Sequence, residues 1–366
     1  MPLTDIDGQR LGDNVADKLG NRNLFINGAA QVAQRGTSLT SVTAGGASNQ
    51  TVDLFRPSIS SLGTWTLSQA SDGPDGFANS FKVDCTTADA SPSSGDLIAI
   101  DCYLEAQNLQ ALNYGNSGAV AATLSFYVKS NKTGSGTVSI LQSDNSNRCI
   151  NVSYTISSAN TWERKTISLP ADASGLINDD NGRGLVCEFW LNSGSTYTGG
   201  SAQTTWGTLT NANRNFANLG IGGSTDDVWQ ITGVQLELGN TATPFEHRSY
   251  ADELARCQRY FIRYTADNDD CYGFGGIALS ASVADFNVTF PCSMRATPTF
   301  NFNGAHRFIA SSDSANFSSN FNIARQNTDS KSAVLEVTGT NSMTGGQAGG
   351  LQARADGAYV EFISEL

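Results

Sequence analysis

The chain has 366 residues, of which 39% are hydrophobic, only 15% are charged and 37 are glycine. This composition excludes a disordered chain and a charged helical bundle, and the length allows roughly two or three β-rich domains with many turns. The formal net charge of −12 disfavours nucleic acid and anionic membrane surfaces as partners, because both would repel the protein.

Residues 1–21 are polar and acidic, and they have too few apolar positions to fold alone. We expect them to form an attachment segment that becomes ordered against a partner. They lack the basic start and apolar run of a signal peptide, and no stretch of the chain approaches the roughly 20 apolar residues of a membrane span. We therefore expect synthesis in a cytoplasm and no insertion into a membrane.

Residues 22–245 contain one strand pattern after another. Apolar residues alternate with polar ones, and turn-forming Gly, Asn and Ser separate the segments. This period of two predicts an antiparallel jelly-roll β-sandwich in which every second side chain lies between two sheets. The clearest segments are "FKVDC", "LIAIDCYL", "TLSFYVK", "CINVSYTI" and "LVCEFWL".

The last strand of this region changes phase. Trp229 and Ile231 share one parity, whereas Val234 and Leu236 have the other. A β-bulge at Gly233 would turn both pairs toward the core, because a bulge inserts one extra residue into the strand.

A short helix and a second, smaller β domain are predicted to follow. "SYADELARCQRYFIRY" predicts a helix capped by Ser249 within a connector that spans residues 246–265. Such a short helix must pack on another element through its apolar stripe. The stripe consists of Tyr250, Leu254, Cys257 and Phe261. Alternation in "DFNVTF", "TPTFNFN" and "AYVEFIS" predicts a C-terminal β-sandwich domain in residues 266–366.

The sequence offers little for catalysis. Its only histidines are His247 and His306, and neither stands in a pattern that pairs a nucleophile with a base. Paired aspartates, as at 179–180, lie in turn-rich segments where Asp usually bonds its own backbone. We therefore predict a protein that is not an enzyme, with no catalytic residues and no cofactor.

Metal binding has only one candidate segment. The seven cysteines are widely spaced and include no Cys-x-x-Cys pair, which favours small buried side chains over a disulfide or zinc framework. "INDDNGRGLVCE" offers Asp179, Asn181 and Glu188 to calcium, but Ile177 stands where a calcium loop needs its first carboxylate. We predict no bound metal and keep this segment as the candidate.

Three aromatic residues lie on strands whose other parity forms the core. Tyr103, Tyr127 and Trp190 should therefore stand on the outer face of a sheet, with Asp101 and Glu188 beside them. Rings flanked by hydrogen-bonding groups suit a sugar, because a ring can stack on its apolar C–H face. The alternative is that a loop or a neighbouring subunit covers the rings, since large aromatic side chains seldom remain exposed.

A second candidate surface is the long polar segment "NSGSTYTGGSAQTTWGTLTNANRN", which contains Tyr197 and Trp206. Long loops on a rigid sandwich often serve in recognition. These two residues complete the candidate ligand-binding set.

Two segments, "RNLFINGAAQVAQRGTS" and "DVWQITGVQLELGNTATPFEHRSYADELARCQRYF", resemble a family of tail-fibre or fibre-like virion proteins of tailed bacteriophages, common in phages of marine cyanobacteria. "FKVDCTTA", "SFYVKSN" and "TWERKTI" between them are also similar to that family, so the resemblance runs from about residue 20 to 263. The same region more distantly resembles the jelly-roll of carbohydrate-binding modules. This second resemblance implies that "NGAAQ" and "ITGVQLE" pair to close the sandwich.

The resemblance implies a virion structural protein, a fibre or appendage subunit that attaches a phage to its host. It implies a homotrimer, contact with other virion proteins through residues 1–21, and a host surface glycan as ligand. Weak single-site binding becomes useful when several copies engage together. The protein would enter virions assembled in the host cytoplasm. The alternative is a capsid decoration or head-fibre protein with a mainly structural role. A glycan-degrading enzyme is disfavoured, because the sequence lacks a catalytic pairing.

Overall fold

The computed structural model describes residues 22–46, 51–144, 147–310, 314–317, 321–322, 329–338 and 343–366. The attachment segment predicted for residues 1–21 lies outside these ranges. The chain forms two compact units that divide after Glu253, inside the predicted connector. No helix within the described ranges is long and apolar enough to cross a membrane.

The first unit is a β-sandwich. Its strands are β1 (Ser38–Val42), β2 (Arg56–Ser60), β3 (Thr64–Ala70), β4 (Ser80–Thr87), β5 (Leu97–Glu105), β6 (Ala122–Ser130), β7 (Gly134–Gln142), β8 (Arg148–Ile156), β9 (Glu163–Leu169), β10 (Arg183–Ser193), β11 (Gln203–Thr208) and β12 (Val228–Leu238). Sheet A has the order β1-β3-β4-β12-β6-β9, and sheet B has the order β11-β8-β7-β10-β5-β2. All neighbours are antiparallel. The predicted all-β jelly-roll class is confirmed.

The core between the two sheets contains the side chains that alternation placed there. Phe126 and Val128 of β6 are fully buried, and Cys187 and Phe189 of β10 are buried in the same cluster. The rings of Phe126 and Phe189 meet edge to face with centroids 5.2 Å apart, an arrangement that ring quadrupoles favour. Burying one such side chain contributes about 1.5–3 kcal/mol. The core therefore fixes which side chains of each strand point outward.

The predicted bulge is present in β12. Its pairing with β6 shifts register between Thr232 and Gln235, and Gly233 has a φ of 62°. A Cβ at this position would lie 2.9 Å from atoms of Phe77 and Tyr127. Glycine is therefore required both for the backbone conformation and for space. Because of the bulge, Trp229 and Ile231 before it and Val234 and Leu236 after it all point into the core, as expected.

Residues 22–30 close the sandwich against β12, although they form no regular strand. The N–H of Leu24 donates to the carbonyl of Leu236 at 2.8 Å, and the N–H of Val234 donates to the carbonyl of Gly28 at 2.9 Å. A Cβ on Gly28 would lie 2.1 Å from the carbonyl oxygen of Val234, so only glycine permits this approach. The predicted pairing of the first and last segments of the sandwich is confirmed.

A buried polar network joins the first segment to residues 246–253; we call it the end-segment network. Arg248 bonds the carbonyl of Asn23 and forms ion pairs with Glu246 and Glu253. Glu246 accepts the N–H of Asn23 at 2.7 Å, and Glu253 accepts the N–H of Asn27 at 2.6 Å. The two carboxylates and the backbone groups named here therefore find partners in the protein. The unusual polar residues of the two end segments serve architecture rather than chemistry.

The described helices are few and short. They are two 3₁₀ helices, Ala106–Leu112 and Asn211–Asn213, and two α-helices, α1 (Ser195–Thr198) and α2 (Tyr250–Gln258). The predicted helix corresponds to α2, but its extension to residue 264 is wrong because Phe261 begins a strand. "YFIRYT" is rich in aromatic and β-branched residues, which favour strands. The predicted apolar stripe is therefore wrong as well: Tyr250 is 57% exposed, and Phe261 is buried in the strand.

The second unit is also all-β. Its strands are β13 (Phe261–Ala266), β14 (Cys271–Ala278), β15 (Val283–Thr289), β16 (Thr299–Asn303), β17 (His306–Ile309), β18 (Ser314–Phe317), β19 (Phe321–Asn322), β20 (Ser332–Thr338), β21 (Ala348–Ala353) and β22 (Ala358–Ile363). They form a three-stranded sheet, β13-β22-β16, and a seven-stranded sheet, β18-β17-β21-β14-β15-β20-β19. Phe362 of the first sheet and Phe286 of the second share one core. A smaller C-terminal β domain is thus present, as predicted.

The cysteines follow their prediction in part. All seven are free, and five of them are buried. Cys271 is exposed and Cys292 is partly exposed, so the prediction of buried side chains is wrong for these two.

Candidate functional site

The outer face of sheet B carries the candidate residues of β5 and β10. These strands pair so that Asp101 lies opposite Glu188, and Trp190 lies opposite Ala99. Their sequence neighbours Ile100, Cys102 and Phe189 belong to the core, so Asp101, Glu188 and Trp190 must point to the other face. The structure thus brings these three predicted residues together.

Residues 194–219, which we call the cover, follow β10. α1 and the segment after β11 fold back over this face, while β11 between them extends the edge of sheet B beside β8. The hydroxyl of Ser139 on β7 donates to the carbonyl of Arg214 at 2.8 Å. The side-chain amide of Asn215 is fully buried and donates to Ser193 at 2.8 Å. The predicted recognition loop is therefore a packed layer, because its polar groups bond to the sheet below.

Trp190 is buried beneath the cover. Only 1% of its surface is exposed. Tyr197 packs on it with ring centroids 5.1 Å apart, and the guanidinium of Arg214 lies 4.9 Å from the ring centre. Its Nε1 donates to Glu188 at 3.1 Å. The predicted exposure of Trp190 to a ligand is therefore wrong. The alternative interpretation, in which a loop covers the ring, is the one that the structure shows for Trp190. Covering the ring removes a large apolar surface from water.

A cleft of about 280 Å³ remains open beside the cover. A recess of about 170 Å³ adjoins it and shares two lining residues with it, Asp101 and Tyr103. Apolar and polar side chains both line the cleft. The apolar ones are Leu141, Val186 and Leu209, and the polar ones are Asp101, Tyr103, Ser143, Asn147, Arg183, Glu188 and Arg214.

Tyr103 stands between two guanidinium groups. That of Arg56 on β2 lies 4.7 Å from the ring centre, and that of Arg183 on β10 lies 4.8 Å from it. β2 and β10 are the two neighbours of β5 in the sheet, so the cations reach the ring from opposite sides of its strand. Tyr103 is therefore not the bare stacking surface that the sequence predicts. It is a partly buried ring that holds two arginines in place.

Two carboxyl groups lie in the wall of the cleft. Glu188 is 5% exposed and pairs with Arg214, whose Nε lies 3.1 Å from Oε2 of Glu188. Asp101 is 8% exposed. Burial first, and then the charge of Glu188, raise the pKa of Asp101 to about 8, against the opposing effect of the arginines around it. The raised pKa favours the protonated form of Asp101, which can donate a hydrogen bond.

Tyr127 does not reach the cleft. Its strand, β6, belongs to sheet A, and the Tyr127 ring packs there against Phe77 with centroids 5.4 Å apart. Phe77 in turn contacts the rings of Phe245 and His247 at 5.0 Å. Parity assigns a residue to the outside of the sandwich but does not say which sheet carries it.

Tyr197 and Trp206 both belong to the cover, and neither lines the cleft. Trp206 donates from Nε1 to the carbonyl of Pro170 at 2.7 Å, and its ring meets Tyr114 edge to face at 5.7 Å. Tyr197 packs on Trp190. Both rings hold the cover to the sandwich, so the prediction that they form a ligand surface is not supported.

The candidate calcium residues are not assembled. Asp179 and Asn181 lie in an exposed turn, whereas Glu188 lies within β10 and pairs with Arg214. No group of three or more His, Cys, Asp or Glu in the part of the chain that the structure describes is placed to hold a metal ion. The structure thus does not bring the three candidate residues together, because Arg214 holds Glu188 within β10.

Three arginines of this site, Arg56, Arg183 and Arg214, were not predicted from the sequence. Arg183 has the parity of the core residues of β10, but the register shifts between Arg183 and Leu185. That irregularity allows the Arg183 side chain to reach the outer face. Alternation along the strand therefore does not predict its position. Arg56 comes opposite Asp101 only through the order of the strands. Arg214 belongs to the cover, whose position no local pattern reveals.

Fold and cleft together define an all-β jelly-roll sandwich with a polar cleft on the outer face of one sheet. Among solved structures, the chain is similar to the enzymatically active domain of tailspike protein 4 of bacteriophage CBA120, with 13% identity and a TM-score of 0.32 over 60% of this chain. It spans only 22% of that tailspike chain.

Two further structures are similar over the same share of the chain. One is a putative sugar binding protein from Bacteroides thetaiotaomicron VPI-5482, with 14% identity and a TM-score of 0.32 over 59% of this chain and 100% of that one. The other is a CBM4 structure, with 12% identity and a TM-score of 0.30 over 58% of this chain and 98% of that one. No protein-family model matches the chain, and no curated protein matches it.

Proposed function

We propose that the chain binds a glycan in the cleft on the outer face of sheet B, and that it does so as a structural protein of a bacteriophage virion. The observation that carries the glycan proposal is the lining of the cleft, where apolar side chains lie among carboxyl, guanidinium, hydroxyl and amide groups. A sugar presents both C–H faces and hydroxyl groups and needs such a mixture. The volume of about 280 Å³ suits a short stretch of saccharide.

The polar groups of the cleft are held in place before a ligand arrives. Glu188 is fixed by Arg214 and by the indole N–H of Trp190, and Arg183 donates from Nε to the hydroxyl of Ser143 at 3.1 Å. Fixed side chains lose little freedom on binding, which favours affinity. Arg214 and Trp190 also hold Glu188 away from a role as nucleophile, so we propose binding without catalysis.

The virion part of the proposal rests on the sequence motifs shared with phage fibre-like proteins. In this reading, residues 1–21 dock on other virion proteins, three chains assemble into one fibre, and the acidic net charge keeps the particle soluble. Several weak cleft contacts then act together on one host surface. Antibody labelling of intact virions would distinguish a tail position from a capsid decoration.

Removing the charge of Arg183 tests the site. We expect the full chain to bind members of an array of microbial surface polysaccharides. Arg183→Ala should weaken the affinity for the soluble oligosaccharide that binds best by about tenfold or more, because the variant loses one charge-assisted hydrogen bond. Titration calorimetry measures this affinity. The bound oligosaccharide should keep its chain length, because we propose no hydrolysis.

Lys82→Ala is the matched control. Lys82 lies on β4 of sheet A and pairs with Asp84 at 2.9 Å, so its loss removes the same charge from the other sheet. We expect its affinity to stay within about twofold of the wild type. Equal losses in the two variants would place the ligand elsewhere, and no binding to any glycan would end the glycan proposal.

A further inference from the structure

We infer that the sugar held in the cleft carries a carboxylate, as a uronic acid does. The inference rests on the proposed glycan binding and narrows the class of glycan. The whole chain has a formal net charge of −12, yet three guanidinium groups surround the cleft and its recess. They belong to Arg56, Arg183 and Arg214.

Carboxyl groups do not balance all of these cations. Nη1 of Arg56 donates to the main-chain oxygen of Leu366, the last residue of the chain, at 2.8 Å. Glu188 is paired with Arg214. Burial and the charge of Glu188 raise the pKa of Asp101 and so favour its neutral form. Glu105 lies opposite Arg183 in register, but it is buried and bonds to Gln107 rather than lining the cleft. Among the described residues, Arg183 is therefore the cation of the lining without a carboxylate at ion-pair distance, and a neutral sugar would leave its charge uncompensated.

Arg183 is the cation placed to meet a ligand. It is exposed at the cleft, its Nε bonds to Ser143, and its guanidinium lies 4.8 Å from the centre of the Tyr103 ring. Within the described ranges no carboxylate lies at ion-pair distance from Arg183. A planar guanidinium held in this way is complementary to a planar carboxylate, which it can bind through two parallel hydrogen bonds.

Asp101 adds a dependence on pH. The charged or titratable groups that face it are Tyr103 on its own strand, Arg56 on β2, Arg183 and Glu188 on β10, and Arg214 in the cover. While Asp101 is neutral it can donate a hydrogen bond to a ligand carboxylate. Once the pH rises through about 8, Asp101 ionises and repels that carboxylate. Burial, and then the charge of Asp101, raise the pKa of Tyr103, so Tyr103 stays neutral over this range.

The test titrates the full chain with oligogalacturonates, oligoguluronates and oligoglucuronates, each as the free acid and as its methyl ester. The ester keeps the sugar backbone and removes the charge. At about pH 6 we expect at least one acid to bind about tenfold more tightly than its ester, and this gap to shrink to about threefold or less in Arg183→Gln. Lys82→Gln, the control on sheet A, should keep the gap.

The second arm varies pH. Between about pH 6 and about pH 9 the wild-type affinity for the acid should fall about threefold or more, whereas the affinity for the ester should not change. Asp101→Asn cannot ionise, so its affinity for the acid should be the same at both pH values. A fall of equal size in Asp101→Asn would overturn the assignment of this dependence to Asp101.

Three outcomes would overturn the carboxylate inference. They are equal affinity for acid and ester, a gap that Arg183→Gln leaves unchanged, and binding to none of the three acids while sulfated or neutral glycans on the array bind. Each of these leaves glycan binding intact. The proposed function itself fails only if no glycan on the array binds.

Discussion

Replacing Trp190 with alanine is expected to destabilise the sandwich by about 3–5 kcal/mol, the usual cost of deleting a buried indole. The side chain is 1% exposed and packs between sheet B and the cover through Tyr197 and Arg214. Its loss would open a cavity and remove the N–H that bonds Glu188. Denaturant unfolding of the full chain, followed by tryptophan fluorescence and by circular dichroism, measures the change.

Trp162→Ala is the matched control for this variant. Trp162 is partly exposed at the edge of sheet A, where its Nε1 donates to Asp72 at 3.2 Å. We expect its loss to cost less than about 2 kcal/mol, because little cavity forms at a partly exposed site. A Trp190→Ala protein as stable as the wild type but unable to bind glycan would show that Trp190 is a ligand residue after all.

Replacing Arg248 with alanine should also cost about 3–5 kcal/mol, because one change breaks the centre of the end-segment network. The Arg248 side chain is 7% exposed, donates to the carbonyl of Phe25 at 2.9 Å and pairs with Glu246 and Glu253. Its removal leaves the buried Glu253 and the partly buried Glu246 without this cation. The midpoint of the unfolding transition assigned to the sandwich should fall, as measured by scanning calorimetry.

Two variants sharpen the Arg248 experiment. Arg248→Lys keeps the charge but not the planar fork, so we expect a smaller loss than for alanine. Lys82→Ala removes a cation from an exposed pair and should cost less than about 1 kcal/mol. If Arg248→Ala were no more harmful than Lys82→Ala, the end-segment network would not hold the sandwich closed.

Much of the fold could be predicted from the sequence, because local patterns report burial directly. In β6, Phe126 and Val128 follow a period of two and are buried as that period requires. Gly233 marked the bulge, since the parity of its neighbours changes there. The end of α2 was harder to predict. "YFIRY" continues a helical stripe and also suits a strand, and the pairing of β13 with β22, about 100 residues later, decides between them.

The candidate site could be predicted only in part. Alternation placed Asp101, Glu188 and Trp190 on an outer face correctly, but the exposure of that face depends on the cover, which folds back by long-range hydrogen bonds. The arginines depend on a shift of register and on the order of strands, and neither is visible in one segment. For the same reason Tyr127 could not be separated from Tyr103, since both have outward parity on different sheets.

We propose that the ligand lies in the cleft of sheet B and not on exposed aromatic rings. A crystal structure of the full chain with a bound oligosaccharide tests this claim. We expect sugar density within hydrogen-bond distance of Arg183 and Asp101, with Trp190 still beneath Tyr197. Density on the outer face of sheet A or in the second unit, with the cleft empty, would contradict the claim.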